Sequence, residues 1–318
     1  MPARFLLLAA LVAAPPVQAQ DYPARPVRII VPFPAGGTAD LMPRILGEKL
    51  TAKWGQPVVI DNRPGAAGNI GAEIVYNAQP DGYTLLSAPP PPLVINHSLY
   101  PKLGFDPTRF VTVGVMAAVP NVLLVQLKLP ATTVQELIAH AKANPDKLNY
   151  SSQGNGTTSH LTTEMFKTMA GGLKITHVPY KGTAPALAAL LAGEVNLMFD
   201  NLGVSLPHAR AGRLRALAVC SERRVATLPE VPAMAETFPG FVSIAWFGVV
   251  APPKTSPRIA AKLSAALAEA LKFPDVGKKL AELSAEPVGS NPTQMAAFMK
   301  QDAERWRKVI QAAGVKVD

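Results

Sequence analysis

The amino-acid sequence predicts an α/β protein of two lobes, each a mainly parallel sheet flanked by helices, joined by two crossover segments. Strand-like hydrophobic runs alternate with helix-like segments along both halves of the chain. Glycine-rich loops follow several of these strands. The 318 residues also exceed what one hydrophobic core normally serves. Two such lobes with two crossovers form a hinged trap that closes on a ligand.

The N-terminus has the features of a secretory signal peptide, assigned to residues 1–19. Arg4 supplies a positive charge, a short apolar run follows, and small residues precede Ala19. Cleavage near Ala19 would release an exported protein. An uncleaved membrane anchor is the alternative, which the shortness of the apolar run disfavours.

Composition excludes several classes of function. The formal charge is +9, but the basic residues are dispersed and are not interleaved with aromatic side chains, so nucleic-acid binding has little support. Cys220 is the single cysteine, which excludes an intrachain disulfide and a cysteine-based metal site. The histidines have no metal-ligand spacing with carboxylates. We therefore expect no metal and no cofactor.

The first half of the chain alternates regularly. Strands are predicted at 28–31, 58–61 and 83–87, and helices at 38–53 and 70–78. Strands joined by helices imply a parallel sheet, and ligands of such sheets bind at the carboxyl ends of the strands. The segment from Ser87 through the proline run Pro89–Pro92 is predicted to be a rigid loop at this edge.

The second half begins with a crossover strand at 122–126. One helix is predicted to begin at a capping box at Thr133 and to end at 143, a second follows the loop at 152–157 and ends at 169, and a third extends from 185 to 192. Strands are predicted at 148–151, 175–178, 195–200 and 214–219. The segment 246–250 is predicted to cross back to the first lobe. Two C-terminal helices, which begin near Pro257 and Pro292, are predicted to cover the first lobe.

The loop between Pro32 and Asp40 is the most informative local feature. Gly36 and Gly37 let the backbone turn and approach a ligand closely. The helix that follows directs free N–H groups and the positive end of its dipole into the same space. Because the loop has neither the lysine of a P-loop nor the third glycine of a dinucleotide fingerprint, a carboxylate is a better candidate ligand than a nucleotide phosphate.

Several motifs in a fixed order resemble those of one family. They include YPARPVRIIVPFPAGG at 22–37, PDGYTLL at 80–86, GNGT at 154–157 and HVPYKG at 177–182. On these motifs the chain resembles the substrate-binding receptors of tripartite tricarboxylate transporters, also called Bug-type receptors, from Tyr22 to the C-terminus. The resemblance implies a periplasmic Venus-flytrap protein that captures a small carboxylate and delivers it to a two-subunit membrane permease. We expect a monomer.

The predicted crossover segments set the lobe boundaries, and the resemblance implies the site. The first lobe is assigned to 20–121 plus 247–318 and the second to 122–246. Two loops from each lobe are expected to surround the ligand. The ligand-binding residues carried over are Ala35, Gly36, Gly37, Thr38, Ala39, Asp40, Ser87, Ser152, Gly154, Asn155, Gly156, Thr157, Thr158, Tyr180, Gly182, Thr183, Ala184 and Asp200.

Some of these residues have structural alternatives. Thr38, Thr157 and Thr158 lie at predicted helix starts, where a hydroxyl can cap the helix, contact a ligand, or do both. For Asp40 we favour stabilisation of the helix dipole over ligand contact. Asp200, at the expected rim, can meet a ligand amino group or hold its loop by hydrogen bonds.

The proline run departs from the Gly/Ser/Thr-rich loop of many family members. Prolines lack donors and stiffen the chain. We therefore hypothesise a more apolar, rigid side of the pocket and a less polar ligand end. Tight binding of citrate would contradict this hypothesis.

Two other classes of function are alternatives to a transport receptor. Ser152, His160 and Asp200 could be imagined as a hydrolase triad, but no Gly-x-Ser-x-Gly elbow is present. A ligand-sensing adaptor for a membrane kinase would have the same sequence features as a transport receptor. Since gripping by backbone groups leaves little side-chain signature, mono-, di- and aromatic carboxylates all stay open as ligands.

Overall fold

The computed structural model describes residues 22–317, so the predicted signal peptide at 1–19 lies outside the described residues. The strands are β1 (Val27–Val31), β2 (Val58–Asn62), β3 (Thr84–Ala88), β4 (Val111–Val125), β5 (Leu148–Ser152), β6 (Ile175–Pro179), β7 (Leu197–Asn201), β8 (Arg215–Val219), β9 (Ile244–Ala251) and β10 (Glu286–Pro287). The helices are α1 (Thr38–Trp54), α2 (Asn69–Tyr76), α3 (Asn96–Leu99), α4 (Val134–Ala143), α5 (Thr158–Met169), α6 (Thr183–Ala192), α7 (Leu202–Arg210), α8 (Pro257–Ala270), α9 (Pro274–Glu282) and α10 (Pro292–Ala313).

The first lobe is built on the strand order β2-β1-β3-β9-β4. Strands β1, β2 and β3 are parallel, whereas β9 is antiparallel to both β3 and β4. The parallel strands place their carboxyl ends, and the loops that follow them, at one edge. This edge faces the second lobe.

The second lobe continues from β4 in the order β4-β7-β5-β6, with β8 also paired to β4. Strands β5, β6 and β7 are parallel, and β4 is antiparallel to β7. Both lobes therefore have a parallel core of strands bordered by antiparallel crossover strands. This mixed architecture confirms the predicted fold class.

Strand β4 passes through both lobes. Its residues up to Pro120 pair with β9, and those from Asn121 onward pair with β7 and β8. The second crossing lies at Ser243, whose N–H donates to the Cys220 carbonyl and whose carbonyl accepts from Asn121 N–H. The lobe boundaries at 121/122 and 246/247 stay a prediction.

Buried side chains connect the lobes across these crossovers. One apolar cluster extends from Val27 and Leu46 of the first lobe to Leu190 and Leu206 of the second. The C-terminal helix α10 packs against α5 of the second lobe. None of the helices within residues 22–317 is long and apolar enough to cross a membrane.

The structure corrects the prediction for the proline run. Instead of a rigid loop, the segment Pro91–Ile95 forms a π-helical turn that continues directly into α3. Pro91 and Pro92 lie in the first turn, where a helix has no use for an N–H donor, so prolines are tolerated there. All residues of the turn are buried.

Two helices besides α3 were not predicted. Helix α7 follows β7 directly and α9 follows α8 after a short turn. Pro207 within α7 and Gly277 within α9 are residues that weaken a helical pattern, and packing against β4 and α1 compensates. Strand β4 is also much longer than the predicted 122–126.

Candidate ligand-binding site

The loop after β1 is held by Asp40. One oxygen of this buried carboxylate accepts from Gly36 N–H at 3.0 Å, and the other accepts from Arg44 Nε and Asn62 Nδ2, both at 2.9 Å. Burial alone would raise the pKa of Asp40, but these hydrogen bonds outweigh it and hold the pKa below its usual value. Asp40 therefore braces the loop from within its own lobe.

Thr38 is the first residue of α1 and is buried, with 1% of its surface exposed. Its Oγ1 has no hydrogen-bond partner among the residues the structure describes. The helix is not capped by a side chain, because Gly37 occupies the N-cap position. An unpaired buried hydroxyl is costly unless another molecule pairs with it, so this end of α1 is suited to a polar ligand.

The loop after β5 is braced internally as well. Thr157 caps α5 by accepting from His160 N–H and donating to the Gly154 carbonyl. The Gly156 N–H donates to Nδ1 of His160 at 3.1 Å. The Ser152 hydroxyl lies 2.6 Å from His177 Nε2. These contacts fix the loop conformation and leave Thr157 and Ser152 engaged within the second lobe.

Behind this loop the rings of Tyr150, His177 and His160 stack. The His160 and His177 ring centroids are 4.1 Å apart, and those of Tyr150 and His177 are 4.7 Å apart. Burial lowers the pKa of His160 to about 4 and that of His177 to about 3. Both histidines are neutral packing groups at pH 7. No group of three or more potential metal ligands occurs within residues 22–317.

The two lobes meet where α1 and α6 begin. A Cβ at Gly37 would lie 3.5 Å from Thr183 Oγ1, and a Cβ at Gly182 would lie 3.0 Å from the Pro34 ring. Only glycine permits such a close approach at Gly182, which also has a φ of +104°. The Gly182 N–H in turn donates to the Gln153 carbonyl, which links the two second-lobe loops.

A small inner cavity of about 20 Å³ lies at this meeting point. The first turns of α1, α5 and α6 reach it through Thr38, Thr158 and Thr183. Its lining residues are Phe33, Pro34, Gly37, Thr38, Ala39, Pro89, Gln153, Thr158, Thr183, Asn201 and Phe247. Three helix N-termini from two lobes thus converge on one space, an arrangement that favours negative charge.

A larger outer cavity of about 780 Å³ lies between the lobes. Its wall is mostly apolar or backbone. The lining residues are Pro32, Phe33, Pro34, Pro64, Gly65, Ala66, Ala67, Gly68, Tyr100, Gln153, Gly154, Asn155, Pro179, Tyr180, Lys181, Gly182 and Val317. Phe33, Pro34 and Gln153 line both cavities, so they separate the inner space from the outer one.

The predicted site residues divide into three groups. Gly37, Thr38, Ala39, Thr158 and Thr183 line the inner cavity. Gly154, Asn155, Tyr180 and Gly182 line the outer cavity. The remaining residues line neither of these two cavities: Ala35, Gly36, Asp40, Ser87, Ser152, Gly156, Thr157, Ala184 and Asp200.

Asp200 and Ser87 lie deeper than expected. Asp200 has no exposed surface and lies behind Gln153 instead of at the rim. Burial raises the pKa of Asp200 to about 6, against the hydrogen bonds from Ser205 and Gln153. Ser87 is equally buried, and its Oγ has no partner in the part of the chain that the structure describes.

Sequence reasoning missed several cavity residues. Phe33 and Pro34 belong to the predicted loop after β1, where only the glycines carry a recognisable signal. Gln153 lies between the predicted site residues Ser152 and Gly154. Asn201 ends β7 and Phe247 lies in the middle of β9, and only the tertiary fold brings them to the cavity. Tyr100 and Val317 of the outer wall had no local sequence signal.

Comparisons with known proteins identify a matching family model and similar solved structures. The family model described as "Tripartite tricarboxylate transporter family receptor" matches residues 42–315. The structure of R. palustris Rpa4515 with adipate is similar at a TM-score of 0.90 and 42% identity, covering 93% of this chain and 99% of that chain. The periplasmic binding protein BugD is similar at a TM-score of 0.88 and 35% identity, and the match covers 93% of this chain and 99% of BugD. MatC (Rpa3494) from Rhodopseudomonas palustris with bound malate is similar at a TM-score of 0.86 and 32% identity, and the match covers 91% of this chain and 100% of MatC.

Proposed function

We propose a function from one premise, namely that the chain belongs to the tripartite tricarboxylate transporter receptor family. The protein captures a small organic carboxylate between its two lobes and presents it to a membrane transporter of the tripartite tricarboxylate type. The family consists of solute-binding receptors, so the expectation that the protein is not an enzyme is confirmed.

The convergence of three helix N-termini on the inner cavity is the observation that carries this proposal. The residues around it offer hydroxyl groups and backbone N–H groups but no cationic side chain. Hydrogen bonds to an ionised acceptor are stronger than those between neutral groups. A carboxylate at this point would pair with the hydroxyl of Thr38, which otherwise lacks a partner.

The outer cavity accommodates the rest of the ligand. Phe33, Pro64 and Tyr100 give its first-lobe wall an apolar character, and Lys181 stands at its second-lobe side. Two structural relatives hold adipate and malate, which are small dicarboxylates. We therefore propose aliphatic carboxylates as the ligand class, with an end less polar than that of citrate.

The closing of the lobes supplies affinity and a signal to the transporter. Binding favours the conformation in which both lobes contact the ligand. Delivery to a two-subunit permease, action as a monomer and residence in the periplasm are parts of the same proposal. Permease genes beside the gene for this chain would favour uptake, whereas a neighbouring sensor-kinase pair would favour the adaptor alternative.

A thermal-unfolding screen with organic acids tests the proposal. A ligand that binds only the folded protein stabilises it by RT ln(1 + [L]/Kd), about 2.7 kcal/mol at 100 times Kd. We expect at least one aliphatic mono- or dicarboxylate to raise the unfolding temperature, and citrate to be weaker. If no organic acid raises it, the proposal is wrong.

A further inference from the structure

Gln153 occupies a distinctive place in the cleft. It follows β5 in the second-lobe loop and lines both the inner and the outer cavity. A group at this boundary adjoins the part of a ligand that is next to the carboxylate held in the inner cavity. The chemistry that Gln153 presents there depends on which end of its amide faces the cleft.

The buried carboxylate of Asp200 determines that orientation. Its Oδ1 accepts from Gln153 Nε2 at 2.6 Å, and its Oδ2 accepts from the Ser205 hydroxyl at 2.6 Å. An ionised carboxylate has only acceptors, so the amide nitrogen of Gln153 must point towards it. The same nitrogen lies 3.5 Å from Asn201 Oδ1, a second acceptor that favours this orientation.

The carbonyl oxygen of Gln153 is therefore the free end of the amide. Gln153 Oε1 accepts no hydrogen bond from any residue between 22 and 317, and it is not among the buried unpaired atoms. Asp200 itself lines neither cavity. The cleft thus has an oriented acceptor beside a group of donors.

We propose that Gln153 selects carboxylates that carry a hydrogen-bond donor, a hydroxyl or an ammonium group, next to the bound carboxylate, and that Asp200 is the positioning residue that turns the Gln153 carbonyl oxygen towards this donor. This inference rests on the proposed function and deepens it. Asp200 then acts through Gln153 and does not itself contact the ligand.

The structural relatives leave this choice open. One holds adipate, which carries no such donor, and another holds malate, which has a hydroxyl group beside one carboxylate. Membership of the family therefore does not predict the preference. The preference follows from the Gln153–Asp200 pair of this chain.

Matched acids give the decisive comparison. Butyrate, glutarate and adipate are titrated calorimetrically at pH 7.5, each beside its 2-hydroxy, 2-amino and 2-oxo derivative. On each framework that binds, we expect the hydroxy or amino acid to bind roughly 10-fold more tightly than the parent, as one added hydrogen bond allows. The oxo acid offers only an acceptor and should bind no better than the parent.

Variants assign the roles. In D200N the new amide can donate to Gln153 Oε1, so the Gln153 amide is free to turn and the preference for donor-bearing acids should fall at least 5-fold. Q153A should lose the preference as well. D302N removes another buried carboxylate, which binds Trp246 and Trp306 and lines neither cavity, and should keep the preference.

The outcomes are separable. If a parent acid binds as tightly as its hydroxy and amino derivatives, the inference about Gln153 is overturned while the proposed function stands. If D200N keeps the wild-type preference, the role of Asp200 is overturned. If no acid of any framework binds, the proposed function itself fails.

Discussion

Thr38 is the side chain whose surroundings bear most directly on ligand binding. Its hydroxyl is buried without a partner, so replacing it by a methyl group in T38V removes no hydrogen bond from the protein itself. We expect unchanged or slightly higher stability. Ligand affinity should fall by roughly 10- to 100-fold, because a hydrogen bond to a charged group contributes about 1.5–3 kcal/mol. Calorimetric titration and thermal unfolding measure the two effects.

The matched control for T38V is T163V. Thr163 is also a buried helical threonine, but it lies in the middle of α5 and its hydroxyl donates to the Ser159 carbonyl at 2.9 Å. T163V should retain wild-type affinity. Equal losses of affinity in the two variants would show that Thr38 has no specific contact with the ligand.

The stacked histidines make stability depend on pH. Burial lowers the pKa of His177 to about 3. Below pH 6.5, therefore, His177 binds a proton in the unfolded chain but stays neutral in the folded protein. This contribution to stability is present above pH 6.5 and is lost as the pH falls towards the folded pKa. In H177F, which keeps the stacking, this loss disappears, and the slope of stability against pH changes by up to about 1.4 kcal/mol per unit.

Urea unfolding of wild type and H177F at several values between pH 4.5 and 7 measures this difference. Asp200 acts in the opposite sense, since its raised pKa of about 6 means that its contribution is present below pH 3.8 and is lost as the pH rises. Subtracting the two curves removes the Asp200 contribution. Parallel curves would show that His177 is not protected from protonation in the folded protein.

At the level of elements, the approach of α6 to the loop after β1 depends on Gly182. A Cβ there would meet the Pro34 ring at 3.0 Å, across the gap between the lobes. G182A should therefore hold the lobes apart and weaken ligand binding by about 1–3 kcal/mol, as overpacking does. Titration with the tightest acid from the screen measures the loss.

Gly212 supplies the control for the backbone effect. It also has a positive φ, of +62°, but a Cβ there would meet no atom within 4 Å. G212A also places an alanine at a positive φ, but without a contact between the lobes. If G212A weakens binding as much as G182A, strain in the backbone and not the approach of the lobes explains the loss.

Most elements could be predicted because their signals are local. The capping box at Thr133 and Glu136 and the Asn291–Pro292 start of α10 appear in the structure as predicted. The proline run could not be predicted as helical, because Pro90 to Pro92 have no helical periodicity of their own. Their helix forms because its first turn needs no donors and its apolar residues pack against Trp246 and Met295.

At the scale of the whole molecule, a buried polar network around Asn121 lies at the junction of the lobes. Asn121, where β4 changes partners, donates to Thr162 Oγ1 at 3.2 Å and Ser243 Oγ at 2.9 Å and accepts from Asn201 Nδ2 at 2.8 Å. This buried network joins both crossovers to the end of β7. N121A would leave several buried polar groups unpaired and should lower the free energy of unfolding by roughly 2–4 kcal/mol.

Chemical denaturation measures the N121A effect. Asn77 is an exposed asparagine whose side chain donates only to the Glu73 carbonyl within its own helix turn. N77A should change stability by no more than about 0.5 kcal/mol. A similarly small change in N121A would show that the junction is not held by its polar network.

The site as a whole was predictable only in part. The glycine loops after β1 and β5 could be located because strand, turn and helix signals are contiguous in sequence. The partnership of Gln153 with Asp200 joins residues 47 positions apart, and the inner cavity adds Asn201 from the end of β7 and Phe247 from within β9. Such contacts depend on strand order, which periodicity does not encode. The family resemblance named Asp200 but not what it binds.

A crystal structure with the organic acid that stabilises the protein most tests the central claim directly. We predict one carboxylate in the inner cavity, with its oxygens within hydrogen-bond distance of Thr38 Oγ1 and of N–H groups in the first turns of α1 and α5 or α6. The remainder of the acid should extend past Gln153 into the outer cavity. An acid bound elsewhere, or held in the cleft with no contact to these helix N-termini, would contradict the account.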